Sequence, residues 1–244
     1  MTIEEVLQQS IIDGNVVKLP DVKLDRKEYL KVAEKLNLIG GKWKGGKICG
    51  FVFEFDPTEL LDKIINKATD NIKKDYQFFA TPDKIAEYLI DLANINKNHT
   101  ILEPSAGQGA IIKAIHRSNP DIIVDCYELM DINQVFLKKL KNINLLGDDF
   151  LHNNHIKKYD RIIANPPFSK NQDIDHVLEM YNILADRGRI LTIVSKHWQL
   201  SQNKKETTFR DWLKKVNAHI IEIEKGEFKE SGTMIETLIL IIDK

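Results

Sequence analysis

The chain has 244 residues, 43% hydrophobic and 29% charged, which is enough for one substantial core and a small appendage. A formal net charge of −1 and a pI near 6.7 exclude a protein that coats nucleic acid by bulk electrostatics, so any nucleic-acid contact has to be local. No apolar run approaches the ~18 residues that span a bilayer, residues 1–20 are mildly acidic rather than a basic leader, and Cys49 and Cys126 lack disulfide-framework or zinc spacing, so a cytoplasmic protein without membrane contact is expected.

Residues 1–74 read as a small α+β appendage. Tyr29, Leu30, Val32, Ala33 and Leu36 recur at helical spacing behind Asp25, a residue suited to the N-cap. Gly40 and Gly41 then precede Lys42, Trp43, Lys44, Gly45, Gly46 and Lys47, and residues 48–55 are strand-like, which predicts a glycine-turned hairpin. Its basic tip has two readings. Lys42 and Lys44 meet phosphate while Trp43 meets a base, or the turn is solvated and Trp43 packs on the hairpin. Pro57 precedes a second helix over 58–65, and the polar residues 67–75 form a linker.

From Gln77 the pattern changes to short apolar strands alternating with amphipathic helices. Thr81 is expected to cap a helix with Pro82 in its first turn and Ile85, Tyr88, Leu89 and Leu92 on one face. Strands are predicted at 100–102, 122–127, 143–146, 159–164, 189–195, 219–223 and 237–242, with helices near 110–116, 132–140, 174–184 and 209–216. This alternation predicts a three-layer, mostly parallel α/β sheet over residues 75–244. Ligands bind such sheets outside the carboxyl ends of the strands.

Chemically unusual residues fall at four successive strand ends. The first strand runs into Glu103-Pro104-Ser105-Ala106-Gly107-Gln108-Gly109, where two glycines permit a tight turn and close approach to a ligand. The second ends at Tyr127-Glu128, about twenty positions beyond the glycines, where a carboxylate can accept from both hydroxyls of a ribose. The third ends in Gly147-Asp148-Asp149-Phe150, an acceptor and a ring suited to the edge and face of an adenine. The fourth ends in Asn165-Pro166-Pro167-Phe168. The prolines stiffen the exit from the strand, so the Asn165 amide oxygen and the Pro166 carbonyl can converge on one amino group while Phe168 covers a planar partner. His152 and His155 have no further ligand close in sequence, and a solvated loop without metal is expected.

In this order the four strand ends resemble those of the class I S-adenosylmethionine-dependent methyltransferases, and within them the adenine-N6 DNA methyltransferases, from Gln77 to the C-terminus. The resemblance implies a Rossmann-like methyltransferase sheet and S-adenosyl-L-methionine as cofactor. It assigns the methionine end of the cofactor to the segment Gln77 to Pro82, including Phe79 and Thr81, and the cofactor loop to Glu103, Pro104, Ser105, Gly107 and Gly109. Glu128 becomes the ribose acid, and Asp149 with Phe150 the adenine pair, with Asp148 as the alternative acid. Asn165, Pro166, Pro167 and Phe168 become the catalytic motif, and Phe228 to Thr233 resembles the loop that borders the target-base pocket.

The chemistry needs these residue types. The exocyclic nitrogen of adenine is a poor nucleophile, and hydrogen bonds from it to Asn165 and the Pro166 carbonyl favour a tetrahedral nitrogen aimed at the methyl donor. On duplex DNA the base has to be flipped out and stacked, here on Phe168. The family usually carries a long recognition region after its catalytic motif, whereas most of the chain beyond Phe168 is needed to finish the sheet. Two stretches stand as DNA contacts: Lys42, Trp43 and Lys44, and Lys196, Trp198, Lys204, Lys205 and Arg210 beside the expected pocket. The second also reads as a solvated loop with Trp198 packed inward. A restriction or specificity partner fits the same family. The alternatives are an RNA-base or protein-glutamine methyltransferase, or a catalytically silent binding module of this fold.

Overall fold

The computed structural model describes residues 1–66, 80–224, 226–228 and 236–244. By its internal contacts the chain divides into two compact units, Met1–Asp70 and Asn71–Lys244. The stretch 67–75, expected as a linker, lies outside the described residues, as do Phe79 and residues 229–233 of the loop ahead of the last strand.

The first unit packs three helices, α1 (Ile3–Gln8), α2 (Arg26–Leu38) and α3 (Thr58–Asn66), with a four-stranded antiparallel sheet. Its strands are β1 (Ile11–Asp13), β2 (Val16–Lys18), β3 (Lys42–Lys44) and β4 (Gly50–Val52), in the order β1-β2-β4-β3. Asp25 caps α2 as expected, accepting from Glu28 N at 2.7 Å while Glu28 Oε2 accepts from Asp25 N at 3.0 Å. Thr2 and Glu5 make the same reciprocal box on α1, a helix of 6 residues and so too short for its apolar spacing to stand out in the sequence. The β1–β2 hairpin, not expected from the sequence, turns at Gly14-Asn15, with Gly14 at φ +60. Val17, Val32, Leu36, Phe51, Leu60 and Ile64 form the core of this unit.

The second unit is a seven-stranded sheet with helices on both faces. Its elements are α4 (Asp83–Ala93), β5 (Ile101–Glu103), α5 (Ala110–Ser118), β6 (Val124–Tyr127), α6 (Asp131–Leu137), β7 (Ile143–Gly147) and β8 (Tyr159–Ala164). There follow α7 (Gln172–Asn182), β9 (Leu184–Ser195), α8 (His197–Leu200), α9 (Lys204–Lys215), β10 (His219–Glu222) and β11 (Thr237–Asp243). The order is β7-β6-β5-β8-β9-β11-β10, parallel from β7 to β9, with β11 antiparallel to both neighbours. This is the Rossmann-like, mostly parallel sheet expected from the sequence. Strand order reverses between β5 and β8, so a crevice opens where their carboxyl ends diverge.

The central strands are apolar at nearly every position because both faces are covered. Along β8, Ile163 joins the core with α4 and α5 (Ile85, Leu89, Ile111, Ile115), while Ile162 and Ala164 join the core with α7 and α9 (Ile174, Val177, Phe209, Leu213). Several boundaries differ from expectation, among them α9, which begins at Lys204 rather than near residue 209. Helix α7 stops at Asn182 and β9 begins at Leu184, where Tyr159 N bonds Ile183 O at 3.0 Å and Tyr159 pairs with Leu184; after a register shift the pairing with β8 resumes at Arg161 and Arg189, the expected start of the strand. Pro82, not Thr81, is the N-cap of α4, and no side chain caps that helix. Among the described residues no helix is long and apolar enough to cross a membrane.

Candidate active site

Gly107 and Gly109 both sit at positive φ, +54 and +80, as the turn between β5 and α5 requires. At Gly109 a Cβ would also lie 2.6 Å from Leu140 Cδ1, so this glycine serves packing as well as backbone shape. The turn is tied to the neighbouring strand. Ala106 N donates to Tyr127 O at 2.9 Å, and Gly107 N donates to Glu128 Oε2 at 2.6 Å. Glu128 N in turn bonds Gly147 O at 3.3 Å, which brings the ends of β5, β6 and β7 into one row.

Glu128 is buried, and its Oε1 accepts from Met130 N at 2.8 Å and Asn133 Nδ2 at 3.2 Å. A carboxylate has about four acceptor positions, and three are taken here. That leaves room for one further donor rather than the two ribose hydroxyls expected from sequence. Burial pushes the Glu128 carboxyl up, against the bonds from Met130, Gly107 and Asn133 that favour its charge. Asn133 was not anticipated; its signal was a polar residue on the face of α6 shared with Ile132 and Phe136, where a buried amide needs a partner.

Glu103 is 2% exposed at the end of β5. Burial first, and then the neighbouring Glu128, push its carboxyl well above the usual range. Its Oε2 and the Ser105 hydroxyl are buried without a hydrogen-bond partner, while Pro104 is buried beside them. Cys126 lies under the same acids, and burial pushes its thiol up to about 12, which makes it inert. Two orphaned polar atoms beside an acid-lined glycine turn fit a ligand that carries an ammonium and a sulfonium charge. S-adenosylmethionine is such a ligand, and Glu103, Ser105, Gly107 and Glu128 are the residues that would hold it.

At the third strand end the carboxylates are engaged locally. Asp148 Oδ1 accepts from Asp149 N at 2.8 Å, and Asp149 accepts from Leu151 N at 2.9 Å and contacts His152 Nδ1 at 2.7 Å. Phe150 departs from expectation. Its ring is 2% exposed and packs with Tyr127, His155 and His176 at 4.6–5.6 Å, so it faces the core rather than a ligand's open face. His152 and His155 are used in these local contacts, and among the described residues no cluster of His, Cys, Asp or Glu could hold a metal.

Asn165 follows β8 at the crevice, next to the end of β5. Its Nδ2 donates to Thr81 Oγ1 at 3.1 Å, which fixes the plane of the amide and explains why Thr81 does not cap α4. Pro166 is buried, whereas Pro167 and Phe168 are half-buried, and the Phe168 ring rests on the core that includes Phe228. Lys170 and Asn171 then adopt left-handed φ values of +53 and +58.

The basic stretch after β9 is mostly scaffold. Trp198 is 3% exposed, packed on Phe209 at 5.3 Å, and is therefore a core residue rather than a base contact. Arg210 donates to the carbonyls of Trp198 and Ser201 and so closes the α8–α9 turn. Lys196 pairs with Glu222 at 3.1 Å and Lys205 with Asp175 at 2.7 Å, while Lys204 is exposed. In the first unit Lys42 and Lys44 are exposed on the edge strand β3, and Trp43 is 44% exposed, its ring edge against Tyr29 and Phe51.

Comparison with known proteins agrees with this architecture. The chain is 34% identical over 109 residues to the type II methyltransferase M.AccI of Acinetobacter calcoaceticus, a match covering 43% of this chain and 20% of M.AccI. A structure described as a class I S-adenosylmethionine-dependent methyltransferase of Listeria monocytogenes superposes with a TM-score of 0.55 at 18% identity, covering 77% of this chain and 65% of that one. The M protein of the type I restriction enzyme EcoKI superposes with a TM-score of 0.55 at 14% identity, covering 99% of this chain and 56% of that one. The chain thus matches about a fifth of the curated relative's length, and the structural likenesses speak for the fold. The family model "Methyltransferase small domain" matches residues 71–221, more than half of the chain, and the chain belongs to that family, whose methyl donor is S-adenosylmethionine.

Proposed function

We propose that the protein is an adenine-N6 DNA methyltransferase. The observation that carries this reading is the placement of Asn165-Pro166-Pro167-Phe168 directly after β8, beside the glycine turn after β5, at the point where strand order reverses. The likeness to M.AccI supports DNA as substrate.

When bound, S-adenosylmethionine supplies an electrophilic methyl group. The protein's part is to orient and activate the amine. The Asn165 amide oxygen and the Pro166 carbonyl accept from the two hydrogens of the exocyclic nitrogen and direct its lone pair, while Thr81 keeps the amide plane fixed. Phe168 stacks on the flipped base, and the prolines keep that ring at a constant distance from Asn165. Glu103, Ser105, Gly107, Glu128 and the Asp148-Asp149 pair line the cofactor side, with Phe150 supporting that wall from within. Positioning in line is the remaining contribution.

DNA contacts in this reading come from Lys42, Trp43 and Lys44 of the first unit and from Lys204, exposed at the start of α9. Likeness to a type I M protein supports a separate specificity or restriction partner, and the same reading sets the protein in the cytoplasm.

The test is transfer of a labelled methyl group from S-adenosylmethionine to DNA, RNA and protein in separate incubations, followed by digestion and identification of the modified unit. N6-methyladenine in DNA is expected. Label confined to RNA or to glutamine, or no transfer to any substrate, would overturn the proposal.

A further inference from the structure

The segment that follows Phe168 is held from a distant helix. Lys170 and Asn171 are both left-handed, a conformation that Asn adopts readily and Lys only at a cost. The side chain that bonds Asn171 lies on α9. Glu206, with a side chain 1% exposed, directs Oε1 to Asn171 Nδ2 at 3.0 Å, and the same oxygen accepts from Ser201 Oγ at 3.1 Å and Asn203 Nδ2 at 3.2 Å. Lys205 Nζ adds a bond to Asn171 O at 3.0 Å and pairs with Asp175 at 2.7 Å. Two residues beyond Asn171, Asp173 Oδ2 accepts from both N and Oγ of Ser195 at the end of β9.

Glu206 occupies the third position of α9 behind the cap residue Asn203, where an acidic residue ordinarily turns back to bond the cap's own backbone N–H. Here that N–H bonds Ser201 Oγ instead, and the buried carboxylate turns inward to the loop after β8. Helix capping alone does not require this arrangement. Asn171 N also donates to Phe168 O at 3.3 Å, so fixing Asn171 fixes the backbone that carries the Phe168 ring.

We propose that Glu206 is a positioning residue for the target base, acting through Asn171 to hold Phe168 at the mouth of the site. The role of Phe168 rests on the adenine-methyltransferase reading; the clamp itself does not. Glu206 touches neither Asn165 nor the glycine turn, so cofactor affinity should be indifferent to it.

The full-length protein and three variants test this. Glu206→Ala removes the acceptor, Glu206→Gln keeps one oxygen acceptor, and Asn171→Gly keeps the left-handed backbone while deleting the amide. The first readout is hydrogen exchange at residues 168–173. Faster exchange there in Glu206→Ala and Asn171→Gly, restored toward wild type in Glu206→Gln, is expected; unchanged exchange would overturn the clamp whether or not the protein transfers methyl groups. The second readout is kinetics on amplified, methyl-free DNA. Glu206→Ala and Asn171→Gly should lower kcat roughly 10- to 100-fold, the scale of a misplaced reacting group, with cofactor Kd unchanged and substantial rescue in Glu206→Gln. A parallel loss of kcat, cofactor affinity and Tm, or no difference between the Ala and Gln variants, would reduce Glu206 to a helix cap and overturn the proposal. If wild-type protein methylates nothing, the function assigned above fails, while the exchange arm still decides the clamp.

Discussion

Gly107 donates its backbone amide to Glu128 Oε2 at 2.6 Å, so the glycine turn after β5 and the acid after β6 form one unit. Glu128 thus shapes the glycine turn, the proposed cofactor side. Glu128→Gln should weaken S-adenosylmethionine binding about tenfold or more, because a hydrogen bond to a charged group is worth roughly 1.5–3 kcal/mol. Calorimetric titration checks this. Affinity within a factor of two of wild type would remove Glu128 from the site.

Glu103 provides a pH signature. Its folded carboxyl is held well above its ordinary value of 4.5, so the folded state keeps a proton that the unfolded state has released. Stability from this group is full below the ordinary value and is lost as pH rises through the folded one. Glu103→Gln, neutral at every pH, should therefore match wild type most closely near pH 4 and gain in Tm relative to it as pH rises. Thermal melts of the two proteins across roughly pH 4 to 8 would show the difference; a constant difference would mean that Glu103 titrates normally.

Gly109 is constrained twice, by φ +80 and by Leu140 Cδ1 at 2.6 Å from the site of a Cβ. Gly109→Ala should cost roughly 2–4 kcal/mol in urea unfolding. Leu140→Ala removes the overlapping atom, so the double variant should be less destabilised than the sum of the singles. Strict additivity would show that the overlap relaxes without cost.

Thr81 orients Asn165 across 84 positions of sequence. Asn165→Ala should abolish transfer while leaving cofactor affinity in place. Thr81→Val, which keeps the shape but deletes the acceptor, should lower kcat about fivefold, the equivalent of the ~1 kcal/mol of one hydrogen bond, with Thr81→Ser close to wild type. Equal rates for the Val and Ser variants would separate Thr81 from Asn165.

Trp198 and Trp43 should behave oppositely. Trp198→Ala should lower stability by roughly 3–5 kcal/mol, as truncation of a buried aromatic does. Trp43→Ala, at a half-exposed position, should leave the melt nearly unchanged but weaken DNA binding, and charge reversal at Lys42 and Lys44 should flatten the salt dependence of that binding by ~1 per lost phosphate contact. Binding that ignores all three changes would exclude β3 as a DNA contact.

The strand ends were legible because β8 and its neighbours are short apolar runs bounded by glycine, proline or acid, a pattern that local chemistry alone produces. Trp198 and Arg210 stayed open between two readings for the converse reason. Lysines interleaved with aromatics look alike whether the rings face solvent or core, and only the packing of Trp198 on Phe209 separates the two cases. Phe150 is a similar case, since its position after an acid is local while the stack with Tyr127, His155 and His176 is not.

By itself the sequence determined the alternation of strands and helices, the two positive-φ glycines and the stiff Asn165-Pro166-Pro167-Phe168 exit, because each depends on residues within a few positions of one another. The tertiary structure decided which of these features share a site. The reversal of strand order sets β8 beside β5, Glu128 reaches Gly107 across 21 positions, and Glu206 reaches Asn171 across 35. Those partners are selected by burial, since a buried carboxylate must find donors wherever the packed chain supplies them, and nothing in its sequence neighbourhood says where that will be.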